Sequence, residues 1–319
     1  MNISYVFPGQ GSQTKGMIRS LGRNAERVRD VFTMASDISG RDVLELCTHA
    51  DDETLTETRN TQIAVTTMNM AFLRLLQLEG IEPDIVLGQS LGQFSAMVAA
   101  GAMSMENTFR LVSRRAELMS GIRHSGSLCS ILGLELDKVE EIVGEVPREL
   151  GVLEIALQNA RTQIVLGGDE PAIERAAELC KAAGAFKTVQ VHVSAAFHTS
   201  LMKEIEAELS EFVDSLPMEE PKCRMILNCK GSFADSAAEI REDLKQATCH
   251  RVLWAQGLTH LIAEPDLLIA EAGIGKRMAS MIRNMEYKGK VYLLSDARDC
   301  HYYMAAAKEE MNRRKGGMQ

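Results

Sequence analysis

The sequence lacks the usual marks of a metal-bound, disulfide-stapled or membrane-spanning protein. Its seven cysteines are irregularly spaced and include no Cys-x-x-Cys pair, so neither a zinc site nor a disulfide framework is expected. No apolar run approaches about 18 residues, so no membrane span is predicted. The N-terminus lacks the basic and apolar segments of a signal peptide. Because free thiols are typical of a reducing compartment, we expect a cytoplasmic protein.

Positive charge is also scarce. The chain has 35 lysines and arginines against 44 aspartates and glutamates, which gives a net charge of -9. Such a balance argues against general nucleic-acid binding, which needs a basic surface. A local basic patch is still compatible with it, and the scattered candidates are Lys181, Lys187, Lys276 and Arg277.

The chain does contain short apolar runs that alternate with helical patterns. Residues 3–7 and 84–87 predict buried strands, because each run is apolar and stops at a glycine-containing loop. Helices are predicted at residues 61–76, 91–100 and 104–120. This alternation predicts an α/β protein with a parallel sheet.

The middle of the chain has a different order of elements. Strands and helices are predicted at residues 127–132, 136–143, 153–158, 163–167, 170–183 and 186–193, with Asp169 as the N-cap of the second helix. The order β-α-β-β-α-β is that of a ferredoxin-like unit. We therefore predict a small domain of residues 126–193 inserted into a large α/β domain of residues 1–125 and 194–319. Beyond the insert, a helix at 200–216, strands at 225–228 and 267–271, and a helix opening after 273–276 are predicted.

A Gly-x-Ser-x-Gly segment, residues 88–92, lies between a predicted strand and a predicted helix. In that context Ser90 occupies a tight turn at the carboxyl end of the sheet, as in α/β-hydrolase-like folds. The glycines avoid clashes with the crossing backbone, and the helix N-terminus favours a developing oxyanion. Ser90 is therefore the candidate nucleophile.

A serine nucleophile needs a base, and the candidates are His49, His124, His192, His198, His250, His260 and His301. His198 follows a predicted strand and begins a helix, so it shares the strand-end position where α/β active sites gather. His192 lies within a strand pattern, which favours a structural role. His198 is the preferred candidate.

With these residues the sequence resembles a known family, the malonyl-CoA:acyl carrier protein transacylases and the acyltransferase domains of fatty-acid and polyketide synthases. The resemblance spans nearly the whole chain. It is carried by Val-Phe-Pro-Gly-Gln-Gly-Ser-Gln at 6–13, the 88–92 turn, Arg115, Asn159, Gln163, Ala-Phe-His at 196–198, Trp254 and Gly-Ile-Gly-Lys at 273–276.

The resemblance implies roles for individual residues. Ser90 would carry the acyl group, with His198 as general base and then general acid. The backbone N–H groups of Gln10 and Leu91 would form the oxyanion hole. Arg115 would pair with the malonyl carboxylate, because a guanidinium can grip a carboxylate with two parallel hydrogen bonds. The remaining substrate-binding candidates are Gln89, Phe197, Asn159 and Gln163. Phe197 resembles the pattern that selects malonyl over methylmalonyl.

The sequence departs from the family pattern at three positions. Gln89 and Gln93 stand where the family usually has His and Glu, and this favours a stand-alone acyltransferase of a polyketide or other specialised assembly line. Ala247 stands where the family often has a Gln whose backbone carbonyl orients the histidine. A carbonyl survives a change of side chain, so the Ser-His dyad can still be oriented.

The resemblance implies no bound cofactor and no metal. The donor would be a coenzyme A thioester such as malonyl-CoA, and the acceptor the phosphopantetheine of an acyl carrier protein; neither nucleic acid nor membrane is an expected partner. Two alternatives remain open from the sequence: a hydrolase that clears acyl groups from carrier proteins, and a non-catalytic synthase subunit.

Overall fold

The computed structural model describes residues 1–123, 126–191, 193 and 195–316. The larger part is built on a five-stranded sheet with strand order β7-β2-β1-β8-β9. All four neighbouring pairs are parallel. The strands are β1 Asn2–Phe7, β2 Ile85–Gly88, β7 Arg224–Ile226, β8 Leu267–Glu271 and β9 Val291–Leu293. The near-continuous burial of β1, β2 and β8 is typical of parallel strands covered on both faces.

Helices surround this sheet, and several of them pack on other helices rather than on its strands. They are α1 Arg29–Ser39, α2 Val43–Thr48, α3 Asp52–Thr56, α4 Thr58–Leu78, α5 Gly92–Ala99, α6 Met105–Ser120, α9 Lys203–Ser215, α10 Ala237–Gln246, α11 Trp254–Ile262, α12 Arg277–Asn284 and α13 Ala297–Gly316. Helix α4 is buried along almost its entire length. It therefore brings polar side chains, Gln62 and Asn69 among them, into the interior.

A second sheet is antiparallel and has the strand order β4-β5-β3-β6. Its strands are β3 Ser127–Leu132, β4 Leu153–Ala160, β5 Gln163–Gly168 and β6 Lys187–Val191, and its helices are α7 Leu136–Glu145 and α8 Glu170–Ala182. The small sheet and its helices share an apolar core of their own. The predicted α/β fold with a ferredoxin-like unit is confirmed.

The small sheet is fastened to the larger part by β4. Gln158 N–H donates to the Val252 carbonyl at 3.0 Å, and Val252 N–H donates to the Ala156 carbonyl at 2.9 Å. The carboxylate of Glu154, also on β4, accepts from the backbone N–H of Ser200 at 2.9 Å. One strand thus contacts two segments of the larger part.

The structure corrects several predicted bounds. The helix predicted at 200–216 begins as a 3-10 turn, Ser200–Met202, before α9. The strand predicted at 225–228 is Arg224–Ile226, because Asn228 turns away to bond with other segments. The strand predicted at 186–193 is Lys187–Val191. Residues 124, 192 and 194, including the candidates His124 and His192, lie outside the described residues.

Candidate active site

Ser90 lies in a tight turn between β2 and α5. Its φ of 49° is in the left-handed region, which costs a non-glycine residue strain. The backbones cross so closely that a Cβ on Gly88 would lie 2.0 Å from the Gly92 carbonyl oxygen, and one on Gly92 would lie 2.2 Å from that of Phe7. Only glycine fits at either position, so the turn holds the Ser90 hydroxyl at the carboxyl edge of the large sheet.

His198 is within hydrogen-bonding distance of Ser90. Its Nε2 lies 2.7 Å from Ser90 Oγ. Its Nδ1 lies 2.6 Å from the Ala247 carbonyl oxygen, and its backbone N–H donates to the Thr248 carbonyl at 2.8 Å. Because a carbonyl can only accept, Nδ1 carries the proton and Nε2 has its lone pair towards the serine. The substitution of Ala for the usual Gln leaves this contact intact.

The surroundings of His198 favour the neutral imidazole. Burial, together with the nearby positive charge of Arg115, lowers its pKa from 6.5 to about 4, while the backbone contact with Ala247 acts in the opposite direction. An imidazole that is neutral at pH 7 can accept the serine proton.

Arg115 is a buried cation without a carboxylate partner among the described residues. Its side chain is 3% exposed. Nη1 donates to Gln62 Oε1, the guanidinium lies 5.5 Å from the centre of the Phe94 ring, and Nε has no hydrogen-bond partner in the described part of the chain. Burial lowers its pKa to about 10, so it is still charged at pH 7. Uncompensated buried charge is costly, and an incoming anion would relieve it.

The loop after β1 packs directly on the serine turn. A Cβ on Gly9 would lie 2.4 Å from the Gln89 carbonyl oxygen, so the two backbones are in contact there. This brings Gln10 and Leu91 to the same cleft as Ser90. Within the described ranges neither of their backbone N–H groups donates to another protein atom. Two unused donors beside a nucleophile have the composition of an oxyanion hole.

Of the other four predicted substrate-binding residues, two line the cleft. Phe197 and Gln89 do so, with side chains that are 5% and 3% exposed. Asn159 stands behind Gln89 and accepts a hydrogen bond from its Nε2 at 2.5 Å. Gln163, at the start of β5, is not among the cleft-lining residues. The structure therefore gives Asn159 an indirect position and brings Gln163 to no part of the site.

Two residues that the sequence did not single out, Asn228 and Asp243, hold the serine turn from behind. Asn228 Oδ1 accepts from Ser90 N–H at 2.6 Å, while its Nδ2 donates to the Gly88 carbonyl at 2.7 Å. Asp243 accepts from Gln93 Nε2 at 2.7 Å and from the backbone N–H groups of residues 228, 229 and 230. Burial raises the pKa of Asp243, and these donors act against that rise. Asn228 follows an apolar run that predicts a strand, so its position at a strand end could have marked it as a candidate. Asp243 lies within a helix, and no local sequence pattern marks it.

The opposite wall of the cleft comes from the small sheet, through Leu128, Ser130, Leu157, Val165 and Val191. Arg277, at the start of α12, lines the other side. Among the residues that the structure describes, no cluster of three or more His, Cys, Asp or Glu side chains could hold a metal ion. In the same residues no helix has the length and apolarity to cross a membrane.

Comparison with known proteins agrees with this geometry. Residues 4–272 match the family model described as the acyl transferase domain. Over 310 residues the chain is 31% identical to the malonyl CoA-acyl carrier protein transacylase of Bacillus subtilis strain 168, covering 97% of this chain and 98% of that one. The fold matches the crystal structure of FabD from Acinetobacter baumannii with a TM-score of 0.90 and 30% identity, over 97% of this chain and 99% of that chain.

A further structural match is a malonyl-transacylase solved in complex with its type II polyketide synthase acyl carrier protein in the holo form. The TM-score is 0.90 at 28% identity, over 96% of this chain and 100% of that chain. Family model, sequence relatives and fold agree over nearly the whole length. The chain therefore belongs to the acyl transferase family of the malonyl-CoA:acyl carrier protein transacylases and is an acyltransferase of that type.

Proposed function

We propose that this acyltransferase moves a malonyl group from coenzyme A to the phosphopantetheine thiol of an acyl carrier protein, through an ester on Ser90. The observation that carries the proposal is the buried, carboxylate-free Arg115 in the same cleft as the Ser90–His198 pair. A cation in that place suits an acyl group that ends in a carboxylate. The malonyl-transacylase names of the relatives support the same substrate.

The chemistry has two balanced halves. In the first, His198 Nε2 takes the proton of Ser90 Oγ as that oxygen attacks the thioester carbonyl. The carbon–sulfur bond then breaks, and coenzyme A leaves as a thiol with the proton from His198. In the second, His198 takes the proton of the carrier thiol, whose sulfur attacks the ester. The bond between the acyl carbon and Ser90 Oγ breaks, and His198 returns the proton to Oγ. The N–H groups of Gln10 and Leu91 would stabilise both oxyanions. No bound cofactor enters either half.

The proposal is tested by intact-mass measurement after exposure to acyl-CoA thioesters. We expect a malonyl adduct on the native protein and none on Ser90→Ala. An absence of any adduct with every thioester would support the non-catalytic subunit instead. The hydrolase alternative is tested by adding malonyl-CoA with and without holo carrier protein, and following free malonate against malonyl-carrier mass. Arg115 argues against a hydrolase of neutral acyl chains, which has no use for a buried cation.

We also propose that Phe197 favours malonyl over methylmalonyl by crowding an α-methyl branch. One methyl group is worth about 1–3 kcal/mol of discrimination. Comparable rates of Ser90 labelling by the two thioesters would remove this proposal, and a Phe197→Ala variant should narrow any difference. The pathway we propose is a discrete step of fatty-acid or polyketide synthesis, in line with the polyketide carrier in the complex of one structural relative.

For the domain organisation we propose the bounds 1–125 with 194–319 and 126–193. The support is that each sheet has its own apolar cluster. Native-state hydrogen exchange tests this, because separate domains open as separate cooperative units. A single shared opening free energy for both sheets would contradict it.

A further inference from the structure

The loop after β1 is fixed by hydrogen bonds to its backbone. Each of the three consecutive carbonyl groups at positions 8, 9 and 10 accepts a hydrogen bond from a side chain. The donors, in that order, are Asn69 Nδ2 at 2.9 Å, Ser12 Oγ at 2.9 Å and Arg277 Nη1 at 3.3 Å. Asn69 lies on α4 and Arg277 begins α12, while Ser12 belongs to the loop itself. Side chains from two helices and from within the loop thus set its path.

The fixed backbone carries one half of the candidate oxyanion hole. The N–H of Gln10 and the carbonyl of Gly9 belong to the same planar peptide group, and Ser12 holds that carbonyl. The next carbonyl, that of Gln10, is held by Arg277. Because both peptide groups that flank the Cα of Gln10 are held, its backbone has little freedom to rotate. These contacts therefore set the direction in which the Gln10 N–H points.

The guanidinium of Arg277 lies directly against this loop. A Cβ on Gly11 would lie 2.5 Å from Arg277 Nη1, so the absence of a side chain at Gly11 makes room for the cation. Gly11 also has a φ of 93°, in the region that favours glycine. Its N–H donates to Gln13 Oε1 at 2.8 Å. The loop thus turns immediately after Gln10, and the turn accommodates Arg277.

A buried carboxylate fixes the place of Arg277. Glu271, at the end of β8, is fully buried and accepts from the backbone N–H groups of Met278 and Ala279 at 3.1 and 2.9 Å. It therefore holds the first turn of α12, the helix that begins at Arg277. Burial lowers the pKa of Arg277, and the negative charge of Glu271 opposes that shift. Since β8 and β1 are neighbouring parallel strands, this arrangement brings Arg277 to the loop after β1.

We propose that Arg277 is a positioning residue of the oxyanion hole. Its hydrogen bond fixes the backbone of Gln10 so that the Gln10 N–H faces the oxygen that becomes negative during acylation of Ser90. This rests on the proposed function only in requiring an acyl ester on Ser90. The oxyanion develops after the thioester has bound, so the loss of this contact should lower the rate of acylation rather than weaken binding.

Arg277 also lines the cleft, which allows two other roles with different substrate dependences. A cation that bound the phosphates of coenzyme A would matter for malonyl-CoA and not for malonyl-pantetheine, which lacks them. A cation that paired with the malonyl carboxylate would matter for malonyl-CoA and not for acetyl-CoA. A positioning role affects all three thioesters equally, because the same carbonyl oxygen becomes negative in each.

The test measures acylation of Ser90 by these three thioesters, from the intact mass of the full chain in single-turnover experiments. Arg277→Met removes the hydrogen-bond donors and keeps an unbranched side chain. We expect its maximal rate to fall by about 10- to 100-fold with every thioester, and the half-saturating concentration to stay within about twofold of the native value. Arg277→Lys can still donate to the Gln10 carbonyl, so its maximal rate should return to within about fivefold of the native value.

Arg283→Met is the matched control. Arg283 is exposed at the other end of α12, where its Nε donates to the Ala279 carbonyl of the same helix at 3.4 Å. The control makes the same substitution and the same change in charge on the same helix, away from the loop after β1. Its maximal rates should stay within about twofold of the native values with all three thioesters.

Four outcomes would overturn the inference. One is an unchanged maximal rate in Arg277→Met, and another is an equal loss in Arg283→Met. A third is a loss confined to the coenzyme A thioesters or to the malonyl thioesters, which would assign Arg277 to the phosphates or to the carboxylate. The fourth is a lysine variant as slow as the methionine variant, which would show that the hydrogen bond to Gln10 is not the cause.

A failure of the proposed function gives a different result. If the native protein is acylated by acetyl-CoA and by neither malonyl thioester, the proposed substrate is wrong, and the comparison of the Arg277 variants still decides the inference with acetyl-CoA. If the native protein forms no ester with any thioester, the proposed function and the role of Arg277 both fail.

Discussion

At the scale of single residues, the distinctive feature is a neutral imidazole kept next to a buried cation. Desolvation and the charge of Arg115 both disfavour the imidazolium form of His198. The imidazole of His198 therefore stays neutral over a wider acid range than that of an exposed histidine, which suits the proposed role of a base. The same positive charge that would bind a malonyl carboxylate also keeps the base unprotonated, so substrate binding and proton transfer are coupled electrostatically.

Protonation of His198 should set the acid limit of Ser90 acylation. Because the pKa of His198 is lowered to about 4, the rate of Ser90 acylation should be level from neutral pH downwards and reach half its maximum near pH 4. Arg115→Gln removes a charge that opposes protonation, so its acid limb should move to higher pH. Arg114→Gln is the matched control, since Arg114 is a surface residue paired with Glu117 at 3.2 Å. A half-maximum near pH 6.5 in the native protein would contradict the prediction.

Arg115 should set the preference for acyl groups that end in a carboxylate. Arg115→Gln should lower kcat/KM for malonyl-CoA by about 30-fold or more, the equivalent of losing about 2–5 kcal/mol from a buried charge pair. Acylation by acetyl-CoA, which has no carboxylate, should fall much less. Rates measured by mass for both thioesters, in this variant and in Arg114→Gln, decide the point. Equal losses for both thioesters would show that Arg115 supports the fold rather than the substrate.

At the scale of elements, the serine turn is held by α10 and by the loop after β7. Gln93 on α5 donates to Asp243 on α10, and both accept from the backbone N–H of Asn228. The resembled family usually has Glu where this chain has Gln93. Two ionised carboxylates in that contact would repel each other in a buried site. The carboxylate of Asp243 thus makes Gln, rather than Glu, the suitable residue at 93.

A reciprocal exchange tests this pairing. Gln93→Glu alone should lower the free energy of unfolding at pH 7 by at least about 1–3 kcal/mol, and the loss should shrink at low pH as the two carboxyls share a proton. Asp243→Asn alone should weaken the hold on Asn228 and slow Ser90 acylation. The double variant restores one carboxylate and one amide. It should therefore recover most of the free energy of unfolding and most of the rate of Ser90 acylation. Denaturant unfolding and acylation rates measure them, and additive losses in the double variant would refute the pairing.

How much could be predicted from the sequence depends on how far apart along the chain the interacting residues lie. Local patterns sufficed for the strands at 3–7 and 84–87 and for the ferredoxin-like order, and the glycine spacing gave the turn at Ser90. The resemblance supplied His198, 108 positions away, which local patterns alone only favoured. Asp243 and the position of Gln163 depended on packing between distant segments, which neither periodicity nor spacing encodes.

At the scale of the whole molecule, the small sheet contacts the segment that carries His198, the proposed base. The Glu154 carboxylate on β4 accepts from the backbone N–H and the hydroxyl of Ser200, two positions after His198. The segment that carries His198 is therefore tied to both parts of the fold, through Glu154 on one side and through the carbonyl of Ala247 on the other.

This tie predicts a catalytic effect of a residue outside the reacting atoms. Glu154→Ala should slow Ser90 acylation by about tenfold, because small displacements of a catalytic group are costly. Its KM for malonyl-CoA should change little. Glu154→Gln keeps an acceptor oxygen and should recover much of the rate. Glu140→Ala is the control, since it removes another contact between the two parts, the 3.1 Å pair with Arg251, away from His198. An equal slowing in this control would assign the effect to general loosening of the small sheet.

The double contact of Asn228 has a consequence for chemical ageing. One end of its amide must accept from Ser90 N–H and the other must donate to the Gly88 carbonyl. Deamidation of Asn228 to aspartate would exchange its side-chain NH₂ for oxygen, with almost no change in shape. In the product, a carboxylate oxygen would face the Gly88 carbonyl oxygen with no hydrogen between them. The carboxylate would also add a negative charge close to the oxygen that becomes negative in a tetrahedral intermediate. A protein altered in this way would keep its overall architecture, yet lose turnover through one dalton of added mass.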